Sequence, residues 1–217
     1  MVIKKIFNRY LLRLFGNKTF PGSEKYWENR YKSGDNSGAG SYGKVATFKS
    51  KIINDFIGKN RVKSILEFGC GDGNQLSLFK VKKYIGLDIS RHIIKKCSEK
   101  MFTDKTKSFF LYDPKCFIDN QSLFKSDLTL SLEIIFHIIE GDIFNLHMEH
   151  LFNSSNKYVI IYSSNKNSAQ KYHVRHRNFT DWVSKNKPNW KLIKIIRNKF
   201  PDICFSDFYI FKTDLKK

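Results

Sequence analysis

Two acidic residues and three glycines carry the clearest chemistry in the sequence. Glu67 lies in a short apolar run at 64–68, and Gly69, Gly71 and Gly73 follow it at alternate positions. Asp88 closes a second apolar run, 84–88, about 20 residues further on, the interval that one strand–helix–strand unit needs. Glycine allows positive φ in a tight turn and lets a ligand approach the backbone closely. A carboxylate at a strand tip can accept hydrogen bonds from both hydroxyls of a ribose. The pattern therefore suits a nucleoside lying across the ends of two neighbouring parallel strands.

The elements that must position these groups are also legible. Short, mainly apolar segments of five to seven residues alternate with stretches of helical periodicity, which predicts a parallel sheet with helices on both faces. Strands are expected at 64–68, 83–88, 108–112, 127–132 and 157–163, and helices at 74–80, 91–101, 115–125 and 141–152. The helix at 74–80 would bring its N-terminus and free backbone N–H groups to the glycine turn, ready for an anionic group. A short helix (179–185) and two alternating strands (190–197 and 204–212), separated by a turn at Pro201 and Asp202, close the chain.

Glu67-x-Gly-x-Gly-x-Gly, then Asp88, Asp113 and Glu133 at the ends of the second, third and fourth strands, resembles the class I S-adenosylmethionine (SAM)-dependent methyltransferase family. The resemblance covers about residues 62–165. It implies a Rossmann-like, doubly wound, mostly parallel seven-stranded α/β sheet with a C-terminal antiparallel hairpin. It implies SAM as cofactor, contacted by Glu67, Gly69, Cys70, Gly71, Gly73, Asp88, Ile89, Tyr112, Asp113, Leu132 and Glu133. Glu67 would face the methionine end, Asp88 the ribose and Asp113 the adenine edge. His137, just after the fourth strand, matches the place where small-molecule methyltransferases carry a histidine, and its ordinary pKa suits proton transfer near neutrality. Some ubiquinone-pathway O-methyltransferases use a metal with an acid directly before that histidine. Phe136 stands there, and no metal is predicted. No Asn-Pro-Pro-Tyr follows the fourth strand, which argues against the usual route to amino-nitrogen methylation.

Two segments outside that frame hold the candidate acceptor contacts. Residues 171–177 place Tyr172, His173, Arg175, His176 and Arg177 on one loop, a combination able to clamp phosphate or carboxylate. The same composition would equally serve as a solvated basic loop. Residues 33–43 are small and glycine-rich, with no capacity to form a core, and follow a helix at 23–32. This segment resembles one that closes over the cofactor in a group of bacterial methyltransferases, which makes Arg30 and Tyr42 candidates for ligand contact. The expected division is 1–60, a helical extension and lid, and 61–217, the methyltransferase domain. The expected acceptor is a small or sugar-like (glycan-type) anionic molecule methylated at oxygen, with His137 or His173 taking its proton. RNA methylation and a non-catalytic SAM-binding interaction module remain the alternatives.

Composition narrows the class. The 217 residues carry a net charge of +19, with 41% hydrophobic and 15% aromatic residues, a globular balance. No apolar run reaches the roughly 18 residues a membrane span needs. The lysines are spread evenly along the chain and read mainly as solvated surface, so nucleic acid is a weakly supported partner. Four separated cysteines show no metal-ligand spacing and suit a reducing cytoplasm. Arg9 and Arg13 interrupt any signal-peptide core. Residues 2–15 have the pattern of a basic amphipathic helix, suited to packing on this domain or a partner chain, or to an anionic membrane surface. The oligomeric state is not legible.

Overall fold

The computed structural model describes residues 19–214. The amphipathic pattern at 2–15 lies outside the described residues. Seven strands form one sheet: β1 (Ser64–Phe68), β2 (Lys83–Asp88), β3 (Lys107–Leu111), β4 (Ser126–Leu132), β5 (Ser155–Ser163), β6 (Trp190–Ile196) and β7 (Asp207–Thr213). Their spatial order is β3-β2-β1-β4-β5-β7-β6. The first five are parallel, and β7 inserts antiparallel between β5 and β6. Among the described residues five α-helices accompany them: α1 (Ser23–Lys32), α2 (Gly43–Asn60), α3 (Arg91–Lys100), α4 (Gly141–Asn153) and α5 (Phe179–Asn186). None of the described helices is long and apolar enough to cross a membrane.

Side chains alternate between the two faces of a strand, and here they sort into two cores. Ile65, Leu128, Leu130, Ile160, Tyr162, Phe208 and Ile210 meet Val45, Phe48, Ile53 and Ile57 of α2. Leu66, Phe68, Val159, Ile161 and Phe211 meet Phe144, Met148 and Leu151 of α4 and Phe179 and Val183 of α5. Glu67 shares a strand face with Ile65, so its side chain rises on the α2 side of the sheet. The strand order reverses direction between β1 and β4, the switch point at which open α/β sheets leave a crevice beyond the strand ends.

Two expected helices do not form. At 74–80 only a single 3-10 turn, Leu76–Leu78, is present. Side chains take the bonds that a longer helix would have used. Asn74 donates its backbone N–H to Asp72 Oδ1, and Asn54 of α2 donates to the Leu78 carbonyl and accepts from the Lys80 N–H. At 115–125 the chain turns instead, because the Asp119 carboxylate accepts the N–H groups of Leu123 and Phe124. Short polar side chains compete in this way with backbone ladders.

Leu130 is fully buried in β4, the strand that joins the two halves of the sheet. Leu130→Ala is expected to destabilise the fold by about 2–5 kcal/mol. The check is a fall in the denaturant midpoint with an unchanged slope.

Candidate functional site

Beyond the carboxyl ends of β1, β2 and β4 lies a cavity of about 290 Å³, near the lower end of the roughly 300–1,000 Å³ usual for small-ligand sites. Gly69 and Gly71 turn the chain away from β1 with φ of 82° and 55°. A Cβ on Gly69 would sit 2.3 Å from Ile134 Cδ1, and one on Gly71 would sit 2.3 Å from Ser37 Oγ. At both positions the positive φ favours glycine, and an added Cβ would also have to displace the Ile134 or Ser37 side chain.

The turn does not present free amides. Gly69 and Cys70 both donate N–H to the Leu87 carbonyl, Gly71 to Asp88 Oδ2, and Gly73 to the Cys70 carbonyl. Asp72 donates to Ser37 Oγ and Asn74 to Asp72 Oδ1. The expected anion-binding row of backbone N–H groups is thus used internally, and without an α-helix behind it there is no helix N-terminus to help.

Instead the cavity is acidic. Glu67, Asp72, Asp88 and Glu133 form part of its wall, and among the described residues Lys49 is the one lysine or arginine in it. Burial pushes Glu67 up to about 7, against the opposing pull of the Tyr84 hydroxyl, 2.6 Å away, and of Lys49. Burial likewise raises Asp88 to about 6, although its Oδ1 accepts from Ser90 N–H and its Oδ2 from Gly71 N–H. Each Asp88 oxygen retains acceptor capacity for a ligand hydroxyl. Glu133 directly follows β4 with φ of 61°, a left-handed conformation costly for a side chain of its size. Its carboxylate accepts from Lys49 Nζ at 3.0 Å and from Cys204 Sγ at 2.8 Å.

The segment 33–43 lies over this floor. Asp72 Oδ2 accepts from the Ser37 N–H (2.9 Å) and the Tyr42 hydroxyl (2.8 Å), and Asn74 Nδ2 donates to the Ser41 carbonyl. Gly40 passes so close to Glu133 that a Cβ there would fall 1.8 Å from its Oε2. Helix α1 is anchored at its start: Ser23 donates its N–H and hydroxyl to the Glu140 carboxylate, and its hydroxyl also lies 3.0 Å from the His137 carbonyl. Trp27 of α1 then meets the His137 ring edge-on at 5.1 Å.

His137 Nδ1 lies 3.0 Å from the His173 carbonyl, which can only accept. Nδ1 therefore carries the hydrogen and Nε2 the lone pair. Burial lowers the pKa of this ring to about 4, so it is neutral at pH 7. The His173 ring stacks between His137 (5.4 Å) and Tyr26 (4.8 Å).

Of the residues expected at the site, the cavity brings together Glu67, Gly69, Cys70, Gly71, Asp88, Ile89, Tyr112, Leu132, Glu133 and His137. Others lie elsewhere. Gly73 packs toward Cys97 and Met101. Asp113 is exposed and caps a turn by accepting the Lys115 N–H, while the neighbouring Tyr112 and Pro114 reach the cavity wall. The expected anion clamp is not built. Arg177 donates to the Ile138 and Ile139 carbonyls and covers the Phe144 ring, and Arg175 also reaches Ile139. His176 bonds Ser164, and Tyr172 and His173 join an aromatic cluster with Phe20 and Tyr26. Arg30 donates to the Asn36 carbonyl and lies over Trp27, and Tyr42 meets the site only through Asp72. In each case groups of the protein itself, whether backbone carbonyls, rings or the Asp72 and Ser164 side chains, take the groups read as ligand contacts.

Lys49, Asp72, Gln75 and Trp27 line the cavity and were not anticipated. Lys49 had a signal. It falls four residues after Val45 and four before Ile53, on the apolar stripe of α2, where a lysine is buried only if paired.

No family model and no curated protein matches the sequence. Solved structures do match. N-methyltransferase NodS from Bradyrhizobium japonicum, in complex with S-adenosyl-L-homocysteine, aligns with a TM-score of 0.70 at 10% identity, over 89% of this chain and 100% of that one. Magnesium protoporphyrin IX methyltransferase ChlM from Synechocystis PCC 6803, with bound S-adenosylhomocysteine, gives 0.63 at 12% identity, over 88% and 98%. The methyltransferase domain of bacterial CtHen1-C gives 0.61 at 17% identity, over 77% and 97%. The chain has the Rossmann-like fold of class I methyltransferases.

The raised carboxyls make a stability prediction. Glu67 holds its proton in the folded state up to about pH 7 and in the unfolded chain only to about 4.5. The folded state binds more protons across that window, so the contribution of Glu67 to stability falls as pH rises, by about 1 kcal/mol per unit. Glu67→Gln is expected to remove the fall between pH 6 and 7 and to leave the part below pH 6 that Asp88 contributes. Denaturant titrations of the ligand-free protein at stepped pH measure both.

Proposed function

We propose that this chain is a SAM-dependent methyltransferase that acts in the cytoplasm on a small acceptor, at oxygen. The observation that carries the reading is the acidic cavity at the β1–β2–β4 tips of a chain whose net charge is +19. Ligand charge must offset buried carboxylates, and a sulfonium with an amino-acid tail and a ribose offers a cation, an ammonium and paired hydroxyls. The wall fits that group: Asp88 has acceptor capacity for the hydroxyls, and Glu67 and Glu133 supply negative charge deeper in the cavity. When bound, the cofactor supplies a methyl group already activated for in-line displacement.

The protein's part is positioning and proton handling. Segment 33–43 and α1 form part of the cover of the cavity. Trp27 and the His173 carbonyl fix the His137 ring in the tautomer whose Nε2 can accept a proton from an acceptor hydroxyl. With burial holding this ring at about 4, His137 is a weak base that stays unprotonated over the whole neutral range. Because Arg175 and Arg177 are engaged by backbone carbonyls, and the cavity wall is acidic, the proposed acceptor is neutral rather than anionic.

Calorimetry with S-adenosylhomocysteine tests the cofactor site: binding is expected, and Asp88→Ala is expected to abolish it. Absence of binding to the folded wild type would overturn the reading. Transfer of labelled methyl from SAM into the small-molecule fraction of a cell extract tests the acceptor class. His137→Asn keeps a donor for the His173 carbonyl and removes Nε2. It is expected to lower transfer about 100-fold with S-adenosylhomocysteine affinity unchanged. The acid limb of the wild-type rate of bound complex is expected near pH 4 and not near 6.5.

A further inference from the structure

Beside His137 the cavity wall changes character. Glu67, Asp72 and Asp88 belong to β1, the glycine turn and β2, whereas Phe136, Ile138, Val174, Ile203 and Phe205 line the part next to the histidine. Of the large apolar residues among its described lining, only Ile203 and Phe205 are more than half exposed, at 52% and 54%. They mark where the cavity meets solvent.

The loop that carries them is well anchored. Because β7 runs antiparallel to β5, the β6–β7 loop returns to the same end of the sheet as the glycine turn. The Phe200 carbonyl accepts the N–H groups of Ile203 and Cys204 at 3.1 and 3.0 Å, and the Phe200 ring meets Phe48 of α2 edge-on at 6.1 Å. Cys204 turns inward to Glu133. Phe205 is held edge-on against Phe136 (5.4 Å) and His176 (4.8 Å). The loop thus buries one ring on the core and keeps two large apolar side chains at the cavity edge, a composition typical of a small-molecule site.

The polar groups nearby are already engaged. The Arg175 and Arg177 side chains bond the Ile138 and Ile139 carbonyls, and His176 Nδ1 pairs with Ser164 Oγ at 2.6 Å. A sugar would find few donors at this edge, whereas an aromatic ring packs well on rings and aliphatic side chains. His137 adds a second constraint. An aryl hydroxyl ionises near ~10, as in tyrosine, and an alkyl hydroxyl is as weak an acid as water, ~15.7. A base held at about 4 is far better matched to the aryl hydroxyl.

We propose that Ile203 and Phe205 bind the flat body of a neutral aromatic alcohol, with its hydroxyl directed to His137. The assignment rests on the methyltransferase reading above and names the acceptor class of that site. In that reaction the acceptor oxygen bonds to the methyl carbon as the carbon–sulfur bond breaks. The electron pair of the broken bond stays with sulfur, and the hydroxyl proton passes to His137 Nε2.

The test titrates two neutral alcohols, 2-naphthol and methyl glucoside, calorimetrically into the protein saturated with S-adenosylhomocysteine at pH 7. Naphthol is expected to bind, and the glucoside to bind at least about tenfold more weakly. Phe205→Ala is expected to weaken naphthol about tenfold and to leave S-adenosylhomocysteine affinity within about twofold. Phe205→Tyr keeps a ring and is expected to retain naphthol, which guards against a loss caused by altered packing. In the extract assay, label transferred by wild type is expected to partition into organic solvent, and Phe205→Ala to reduce it. Absent naphthol binding, equal binding of the two alcohols, indifference of naphthol to Phe205→Ala, or label confined to water would overturn the acceptor class while leaving the cofactor site standing. Failure of wild type to bind S-adenosylhomocysteine would overturn the methyltransferase reading itself, and this assignment with it.

Discussion

The structure depends on keeping carboxylates inside a strongly basic molecule. Glu67 and Asp88 are more than nine-tenths buried, and Asp72 and Glu133 join them around one cavity with Lys49 as the sole lysine or arginine among its described lining residues. An unpaired buried charge is costly, and a carboxyl answers by taking up a proton. Glu67 and Asp88 do so, with pKa values raised to about 7 and about 6. The pair is therefore part-protonated near neutrality, and a cation beside it is what would let both acids ionise.

The N-terminal elements partly cover that floor. Asp72 ties segment 33–43 down through Ser37 and Tyr42, Glu140 ties the start of α1, and α2 brings Lys49 to Glu133. The same ties place Trp27 against His137. The acidic floor, the cover and His137 are thus coupled through a few hydrogen bonds between residues more than 20 positions apart. A change at Gly40 would be felt at Glu133, since the loop backbone passes where only a hydrogen fits.

Much of this was legible in the sequence. Alternation of Ile65/Leu66 and of Ile160/Ile161 between two cores is the period-2 pattern that made the strands visible, and the glycine turn with Glu67 and Asp88 announced the cavity. What failed did so where side chains compete with the backbone. Asp119 and Asn54 capture amides that helices at 115–125 and 74–80 would have used. The Arg175–Arg177 loop failed for a related reason: composition shows two guanidinium groups, but only the fold shows the Ile138 and Ile139 carbonyls that engage them. Lys49 was the opposite case, a charge on an apolar stripe whose partner, Glu133, lies far along the chain.

The most direct measurement is proton exchange on binding. Titrating SAM and S-adenosylhomocysteine calorimetrically near pH 6.5, in buffers of differing ionisation enthalpy, reads the protons released. Buried acids that ionise when a cation arrives must release protons, and more for the sulfonium than for the neutral thioether. Binding of SAM with no net proton release, or with the same release as S-adenosylhomocysteine, would contradict the account.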